Sequence, residues 1–471
     1  MPEQLPIQPV EKPIICNPYE EPNDHWLYDK DTGEASHGGY RRPAGYWYKT
    51  EKVGTAQARL FTEEERDDLQ MVNLLREDVR RWRKADYRGG STVTRELLRY
   101  WARPDRYRKL FFCQREAAET VIYLAEIRIP GKTSRTGFQN FSLTDLDLAQ
   151  LLKGERPPFA TAPTDFFPTL IDKSADDSAL PLRRLGCKMA TGSGKTVLMA
   201  MLIAWAFCNR GENSQSKEFP DAVLVCCPNT IVKERLQVIQ PDHSGNYYAD
   251  FDLVPVKYRP HLQRGKVLVE NWHRFNEESE HKEGDKTYAV VNKGPETPET
   301  LARRVLGDLY DHLPIMVLND EGHHCWRPAA TPGLEGLSAE ERRKLEEEAS
   351  EATVWVDGLE RINNANPAGH KPGILFCVDL SATPFYIKGS GYPEGRPFPW
   401  LISDFGLVDA IESGIVKIPR LPVLDTTGRP DPKYFKLWEK IKETLEPAEF
   451  LPGGRPKPEV VIERRKERCY R

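Results

Sequence analysis

The sequence predicts an α/β domain in which a parallel sheet is covered by helices on both faces, and three short strings predict it. Met189-Ala-Thr-Gly-Ser-Gly-Lys-Thr196 follows a strand-like run and opens an apolar helix over residues 197–208. Asp320-Glu-Gly-His323 follows Leu313-Pro-Ile-Met-Val-Leu318, and Ser381-Ala-Thr383 follows Ile374-Leu-Phe-Cys-Val-Asp-Leu380. Apolar runs of this length read as strands buried on both faces, and polar turns at their carboxyl ends lie where such sheets bind ligands. Strand and helix patterns alternate around them, as in a parallel sheet with helices on each side.

The first string reads as a P-loop. Gly192 and Gly194 let the backbone curl until successive N–H groups, including those of Thr191 and Ser193, converge on a phosphate. The following helix adds the positive end of its dipole. Lys195 offers its charge to the β- and γ-phosphates of ATP, and the Thr196 hydroxyl offers one ligand to Mg2+. Met189 stands where the usual pattern has Gly or Ala. In the second string, Asp320 would hold Mg2+ through water, while Glu321 is placed to orient and deprotonate the water that attacks the γ-phosphate. In the third, the Ser381-Ala382-Thr383 turn can hydrogen-bond to the Asp-Glu-Gly-His turn and report nucleotide state. Taken singly, each string is an ordinary turn at the end of a core element. His323, His324 and Cys325 invite a zinc reading, but no second ligand pair stands at zinc-like spacing.

In this order the strings resemble the first motor domain of superfamily 2 helicases of the DEAD/DEAH type, and most closely the Res subunit of type III restriction enzymes. The resemblance spans residues 105–425. It implies a RecA-like fold, ATP and Mg2+ as cofactors, double-stranded DNA as partner, and Lys195, Asp320, Glu321 and His323 as the catalytic set. Phe111-Phe-Cys-Gln-Arg-Glu116 resembles the family's stretch before the P-loop, where a Gln reads adenine and an aromatic packs on the base, which makes Gln114 the implied adenine reader. Val223-Leu-Val-Cys-Cys-Pro-Asn-Thr230 and Val267-Leu-Val-Glu-Asn-Trp-His-Arg-Phe275 resemble segments that touch the phosphate backbone of one DNA strand. Pro228, Asn229, Thr230, Asn271 and His273 are carried over as those contacts. Core strands ending in turns remain the alternative, and Trp272 and Phe275 read as packing residues.

Superfamily 2 motors carry a second domain whose arginine reaches the γ-phosphate. The 87 residues after Pro384 (471 − 384) contain no Gln-x-x-Gly-Arg-x-x-Arg string, and a domain of this type needs about 100–200 residues. The expectation is one motor domain with weak turnover, since such an arginine is worth about 10³–10⁵ in rate. A partner chain is then expected to supply the second motor domain, a nuclease or a methyltransferase. Pro458, Glu459, Glu463 and Lys466 have the wrong spacing for a metal nuclease and read as a charged terminal segment. The alternative function is a non-hydrolysing module that binds nucleotide or nucleic acid. A kinase or transporter ATPase has no use for the three strings together.

The expected organisation is an extended arm over residues 1–55, a basic helical segment over 56–104, the motor over 105–425 with insertions near 131–177 and 327–370, and a linker or truncated second domain over 426–471. Residues 337–352 read as an exposed charged helix on the rim. With 39% apolar residues the chain can build an ordinary core, and its formal charge of −4 argues against indiscriminate coating of nucleic acid. Locally, residues 76–109 hold twelve basic against five acidic side chains, or +7, with Trp82, Tyr87, Tyr100, Trp101 and Tyr107 interleaved. Two readings stay open for this segment: a DNA-contacting surface, or an amphipathic helix packed on the motor with its arginines in solvent. No signal peptide is visible, and the longest apolar run, twelve residues, is too short to span a bilayer. Nine scattered cysteines suit a reducing compartment. The expected location is the cytoplasm, with no membrane partner.

Overall fold

The computed structural model describes residues 10, 12–29, 32, 34–49, 64–129, 140–162, 166–174, 176–276, 296–329, 338–366, 371–387, 390–417, 441–442, 445–450, 456–457 and 460–461. Two antiparallel ribbons come first: β1 (Trp26–Tyr28) pairs with β2 (Ala35–His37), and β3 (Gly45–Lys49) pairs with β4 (Glu64–Asp68). β4 corrects the expectation that the segment from residue 56 is helical throughout. Its acidic composition resembles a helix start, but the β-favouring string Gly45-Tyr-Trp-Tyr-Lys49 takes it as a cross-strand partner, and ladder pairing overrides local preference.

Helices follow: α1 (Gln70–Lys84), α2 (Thr92–Ala102), α3 (Phe112–Ile122) and α4 (Asp145–Lys153). The expected insertion near 131–177 therefore includes α4, which is capped by Thr144 and buries Leu148 and Leu151, and the short strand β5 (Ile171–Asp172). Next come β6 (Leu182–Met189), α5 (Lys195–Glu212), β7 (Ala222–Cys227), α6 (Thr230–Arg235), α7 (Tyr247–Asp250), α8 (Arg259–Leu262) and β8 (Lys266–Asn271). α9 (Pro298–Leu306), β9 (Ile315–Asp320), α10 (Ala339–Asn363), β10 (Ile374–Ser381), β11 (Leu401–Phe405) and α11 (Leu407–Glu412) complete the series.

The central sheet runs in the order β11-β6-β10-β9-β7-β8, with every neighbouring pair parallel and β5 antiparallel on β6. Side chains alternate between two cores. Val223, Val225 and Cys227 face one, and Ala222, Leu224 and Cys226 face the other. Burial on both faces is what makes the strands continuously apolar. On the first face, residues 197–209 of α5 are all buried, because α2, α3, α7 and α8 cover the side of α5 that the sheet does not. On the second face lie α9 and the last half of α10.

The basic segment of residues 76–109 belongs to the layer over α5. Trp82 and Trp101 are fully buried, and Tyr87 is buried, so these rings are core; Tyr107 is exposed. Eight of the twelve basic side chains are held within the chain. Arg76 donates to the carbonyls of Arg42 and Asp404. Arg80 and Arg83 bind Glu21, and Arg83 also binds Glu119. Arg81 pairs with Asp78, Arg99 with Asp86, Arg103 with Asp252 and Arg108 with Asp250. Arg106 donates to the carbonyls of Tyr100 and Asp252. The segment is a packed helical layer, and its net charge of +7 is offset largely by acidic groups elsewhere in the fold.

α10 is not wholly an insertion. Its start, capped by Ser338 with Glu341, is exposed, whereas Ala352, Trp355, Val356, Leu359 and Ile362 recur at three- and four-residue spacing and bury against the sheet. The chain divides into two compact units, Met1–Val416 and Lys417–Arg471. The first closes just after α11, where Ile415 and Val416 both donate to the Ala410 carbonyl. Within the second, Pro447–Glu449 forms a short turn. The terminal charged string at Pro458, Glu459, Glu463 and Lys466 lies outside the described residues. The eight described cysteines are buried free thiols. Among the described residues no helix is long and apolar enough to cross a membrane.

Candidate nucleotide and nucleic-acid site

Parallel register brings the strings to one sheet edge. Ser381 of β10 lies opposite Lys188 of β6, Leu380 opposite Asp320 of β9, and Cys227 of β7 opposite Asn271 of β8. The carboxyl ends of β6, β10 and β9 are thus adjacent, with those of β7 and β8 next along the same edge.

The P-loop joins β6 to α5. Gly192 and Gly194 adopt left-handed backbone angles, φ +85° and +89°, which side-chain-bearing residues rarely tolerate. Ser193 is fully buried and donates its hydroxyl to the Ala190 carbonyl at 2.6 Å, which braces the loop, while Thr191 and Gly192 are exposed. Thr196 follows Lys195 in the first turn of α5. Gln114 is buried against this loop: its Nε2 donates to the Ser193 carbonyl at 3.0 Å, and its Oε1 accepts from the Phe111 N–H at 2.9 Å. A Cβ on Gly194 would run into that amide. In this state Gln114 shapes the loop and caps α3.

At the end of β9, Glu321 is a non-glycine residue in the left-handed region, φ +50°, a conformation that costs about 1–3 kcal/mol and marks functional sites. The turn aims its carboxylate at the P-loop, where it forms an ion pair with Lys195 Nζ. Burial pushes the Asp320 carboxyl up from its ordinary range, Lys195 opposes that shift, and Glu321 adds to it. A buried carboxyl whose charge Lys195 and Arg235 only partly offset, on the same sheet edge as the P-loop and its Thr196, fits Mg2+, which takes few protein oxygens and completes its shell with phosphate and water. Among the described residues no group of three or more His, Cys, Asp or Glu is placed to hold a metal without such outside ligands.

Ser381 Oγ lies 2.9 Å from His323 Nδ1 and accepts from the Thr383 N–H at 3.0 Å. The direction of the Ser381–His323 bond follows the His323 tautomer: an unprotonated Nδ1 accepts the hydroxyl proton. Burial, followed by the neighbouring His324, pushes the His323 pKa down to about 4, which keeps the ring neutral and able to accept. Ala382 lies between the two hydroxyl residues and completes the turn.

Sequence reasoning missed the polar support behind these turns. Arg184 in β6 is fully buried and donates to Asp379 at 2.8 Å, to Asp172 at 3.1 Å and to the Cys325 carbonyl at 2.7 Å. Asp379 also accepts from Asn319 at 2.7 Å, and Asn319 accepts from Trp355 Nε1 at 3.2 Å. A Cβ on Gly322 would lie 2.8 Å from the Asp379 Cβ, so the catalytic turn sits directly on β10. The available signal was the Arg183-Arg184 pair in β6 and a lone Asp in the otherwise apolar run of β10. α10 reaches both parts of the edge: Glu351 approaches His324 at 4.0 Å, and Gly358 packs on Phe275.

At the β7 and β8 ends, Asn229 caps α6 by accepting from the Val232 N–H, and Asn271 caps the following turn by accepting from the His273 N–H, each at 2.9 Å. Trp272 donates its indole N–H to the Pro228 carbonyl at 3.1 Å and stacks on His273. Asn229, Thr230 and His273 are exposed, Asn271 and Phe275 buried.

A two-faced parallel sheet, a glycine-turned phosphate loop and a Lys–Glu pair reaching across the carboxyl ends of β6 and β9 fit a P-loop motor domain of the helicase superfamily 2 class. Residues 171–385 match the family model described as Type III restriction enzyme, res subunit. The match takes in the P-loop, Asp-Glu-Gly-His and Ser-Ala-Thr strings and both DNA-type segments; Gln114 precedes it. No curated protein and no solved structure matches the chain.

Proposed function

We propose that residues 105–416 form an ATP- and DNA-binding motor core of the type III restriction kind, working in the cytoplasm, in which nucleotide state governs the grip on duplex DNA. The Lys195–Glu321 ion pair carries the reading, because it places the phosphate-binding cation and the candidate base in one contact. ATP phosphates entering the loop compete for Lys195 and release Glu321, whose carboxylate then accepts a proton from the attacking water. Thr196 and Asp320 would hold Mg2+, which supplies positive charge to the phosphates. The Ser381–His323 bond transmits movement of the turn into β10. Pro228, Asn229, Thr230, Asn271 and His273 are the proposed DNA contacts. Rapid turnover in this design draws on an arginine from a second motor domain, and we propose a partner that brings nuclease or methyltransferase activity.

The test is ATP binding and turnover by the full chain, with and without duplex DNA, beside Lys195→Ala and Glu321→Gln. DNA-stimulated turnover lost in both variants, with ATP binding lost only in Lys195→Ala, is the expected result. Binding without turnover in the unaltered chain would favour the non-hydrolysing alternative, and no ATP binding would remove the reading. Duplex affinity should fall steeply as salt rises.

A further inference from the structure

We propose that Glu351 on α10 is the positioning residue that links the nucleotide turn at the end of β9 to the turn at the end of β8. The inference rests on the ATP and DNA reading above and assigns the coupling between those two sites to one carboxylate.

The charged run of α10 reads in the sequence only as a rim helix, but the structure fixes that helix from the sheet side. Trp355 is fully buried, and its Nε1 donates at 3.2 Å to Asn319, the residue just before Asp320. Gly358 packs so closely on Phe275 that a Cβ there would stand 2.3 Å from the ring Cγ. Residues three and four apart share one stripe of a helix, so Glu351, Trp355 and Gly358 lie on the same face. Trp355 ties that face to β9, and Gly358 ties it to the turn Trp272–Phe275. Glu351, one turn earlier, ends the stripe with a carboxylate.

That carboxylate lies 4.0 Å from His324 Nδ1, with 23% of the side chain exposed. Burial pushes the Glu351 carboxyl up; His324 and then His273 oppose the shift, Glu348 adds to it, and a hydrogen bond with Trp272 opposes it again. One half-buried carboxylate therefore faces groups from both turns. The His324 side leads to the nucleotide. Its ring lies 4.2 Å from that of His323, whose Nδ1 is 2.9 Å from Ser381 Oγ and 3.5 Å from the Glu321 carboxylate. The other side leads to the proposed DNA contacts, since Trp272 stacks on His273 with centroids 3.8 Å apart and donates to the Pro228 carbonyl at 3.1 Å. A carboxylate on a braced helix cannot follow both turns at once. When ATP displaces Glu321 from Lys195, movement of the turn carries His324 with it and changes how much of the Glu351 charge is left to Trp272 and His273. Nucleotide thereby sets the posture of the DNA-side turn, and neither ligand needs to touch Glu351.

The test measures the affinity of a fluorescently labelled DNA duplex by anisotropy, with and without adenylyl imidodiphosphate and magnesium. It uses the full chain, Glu351→Ala, Glu351→Gln, His324→Ala, and Glu351→Ala combined with His324→Ala. The ratio of the two affinities is the coupling, which between linked sites is typically about 5- to 150-fold. Glu351→Ala is expected to bring the ratio to within about twofold of one, with duplex affinity in the absence of nucleotide and nucleotide affinity in the absence of duplex both unchanged. Glu351→Gln keeps the size and the acceptor for Trp272 but not the charge, and should lose most of the ratio. Adding His324→Ala to Glu351→Ala should cost nothing further, because both act through one contact. Glu347→Ala, at a side chain 72% exposed on the same helix, should leave the ratio intact. An unchanged ratio in either Glu351 variant would overturn the proposal. So would loss of either separate affinity, which would make Glu351 a ligand contact or a fold residue only. If the unaltered chain binds both ligands with a ratio of one, this proposal alone fails; if it binds no nucleotide or no duplex, the reading beneath it fails as well.

Discussion

Replacing Arg184 with Met should destabilise the larger unit strongly while leaving a side chain of similar length in the core. The guanidinium makes three hydrogen bonds, to Asp379, Asp172 and the Cys325 carbonyl, and lies 4.1 Å from the Trp400 ring. In the variant Asp379 keeps Asn319 as a partner, and Asp172 keeps Arg327 at 2.9 Å, but both buried carboxylates lose their shared cation. Removing one partner from a buried ion pair costs about 3–5 kcal/mol, because the remaining charge is desolvated without compensation. For a unit of 416 residues, an unfolding entropy near 2.1 cal/mol/K per residue gives about 0.9 kcal/mol/K, so the melting temperature should fall by about 3–6 °C. Differential scanning fluorimetry on the full chain reads this, with Arg343→Met as a control, since Arg343 is 77% exposed on α10. Pairing Arg184→Met with Asp379→Asn should cost less than the sum of the two single changes. A fall of less than about 1 °C for Arg184→Met would refute the idea that this network holds the strands together.

Three further outcomes are expected. Gly322→Ala should keep ATP binding while lowering turnover at least tenfold, since its Cβ would press on the Asp379 Cβ and backbone and lift Glu321 out of line; normal turnover in a kinetic assay would show that the turn can yield. The His323 pKa, about 4 in the fold against an ordinary 6.5, means that the unfolded chain binds the proton more readily, so stability is lost as pH falls from about 6.5 to about 4. His323→Gln should reduce the drop in melting temperature between neutral and mildly acid buffer. Glu116 is the analogous carboxylate: burial pushes its pKa up, but Arg41, Arg76 and Arg83 together outweigh that and hold it at about 2. Its contribution should persist down to the ordinary carboxylate range and be lost as pH falls from about 4.5 to about 2, a loss that an acid titration of Glu116→Gln should lack.

The two-faced sheet was legible because both of its faces are buried. Its strands have to be continuously apolar, and the ligand-facing turns have to interrupt that pattern at strand ends, so Lys195, Asp320, Glu321 and Ser381 stand out. α10 was legible only in its exposed half: the charged run reads as rim helix, while Trp355 and Leu359 disclose a core role only once the sheet is beside them. The basic segment misleads for a related reason. Its arginines look available because Glu21, Glu119, Asp250 and Asp252 lie far away in sequence or on separate elements.

By itself, then, the sequence determined the element types, the order of the strings and the chemistry each can perform, since those follow from local periodicity and residue type. Only the tertiary structure decided which groups meet. That Lys195 pairs with Glu321, that Gln114 turns inward onto the P-loop, and that an arm nearly a hundred residues earlier lays Tyr19 on Phe111 all depend on strand register and long-range packing. Such contacts arise from burial and charge pairing between distant segments, which leave no periodic trace along the chain.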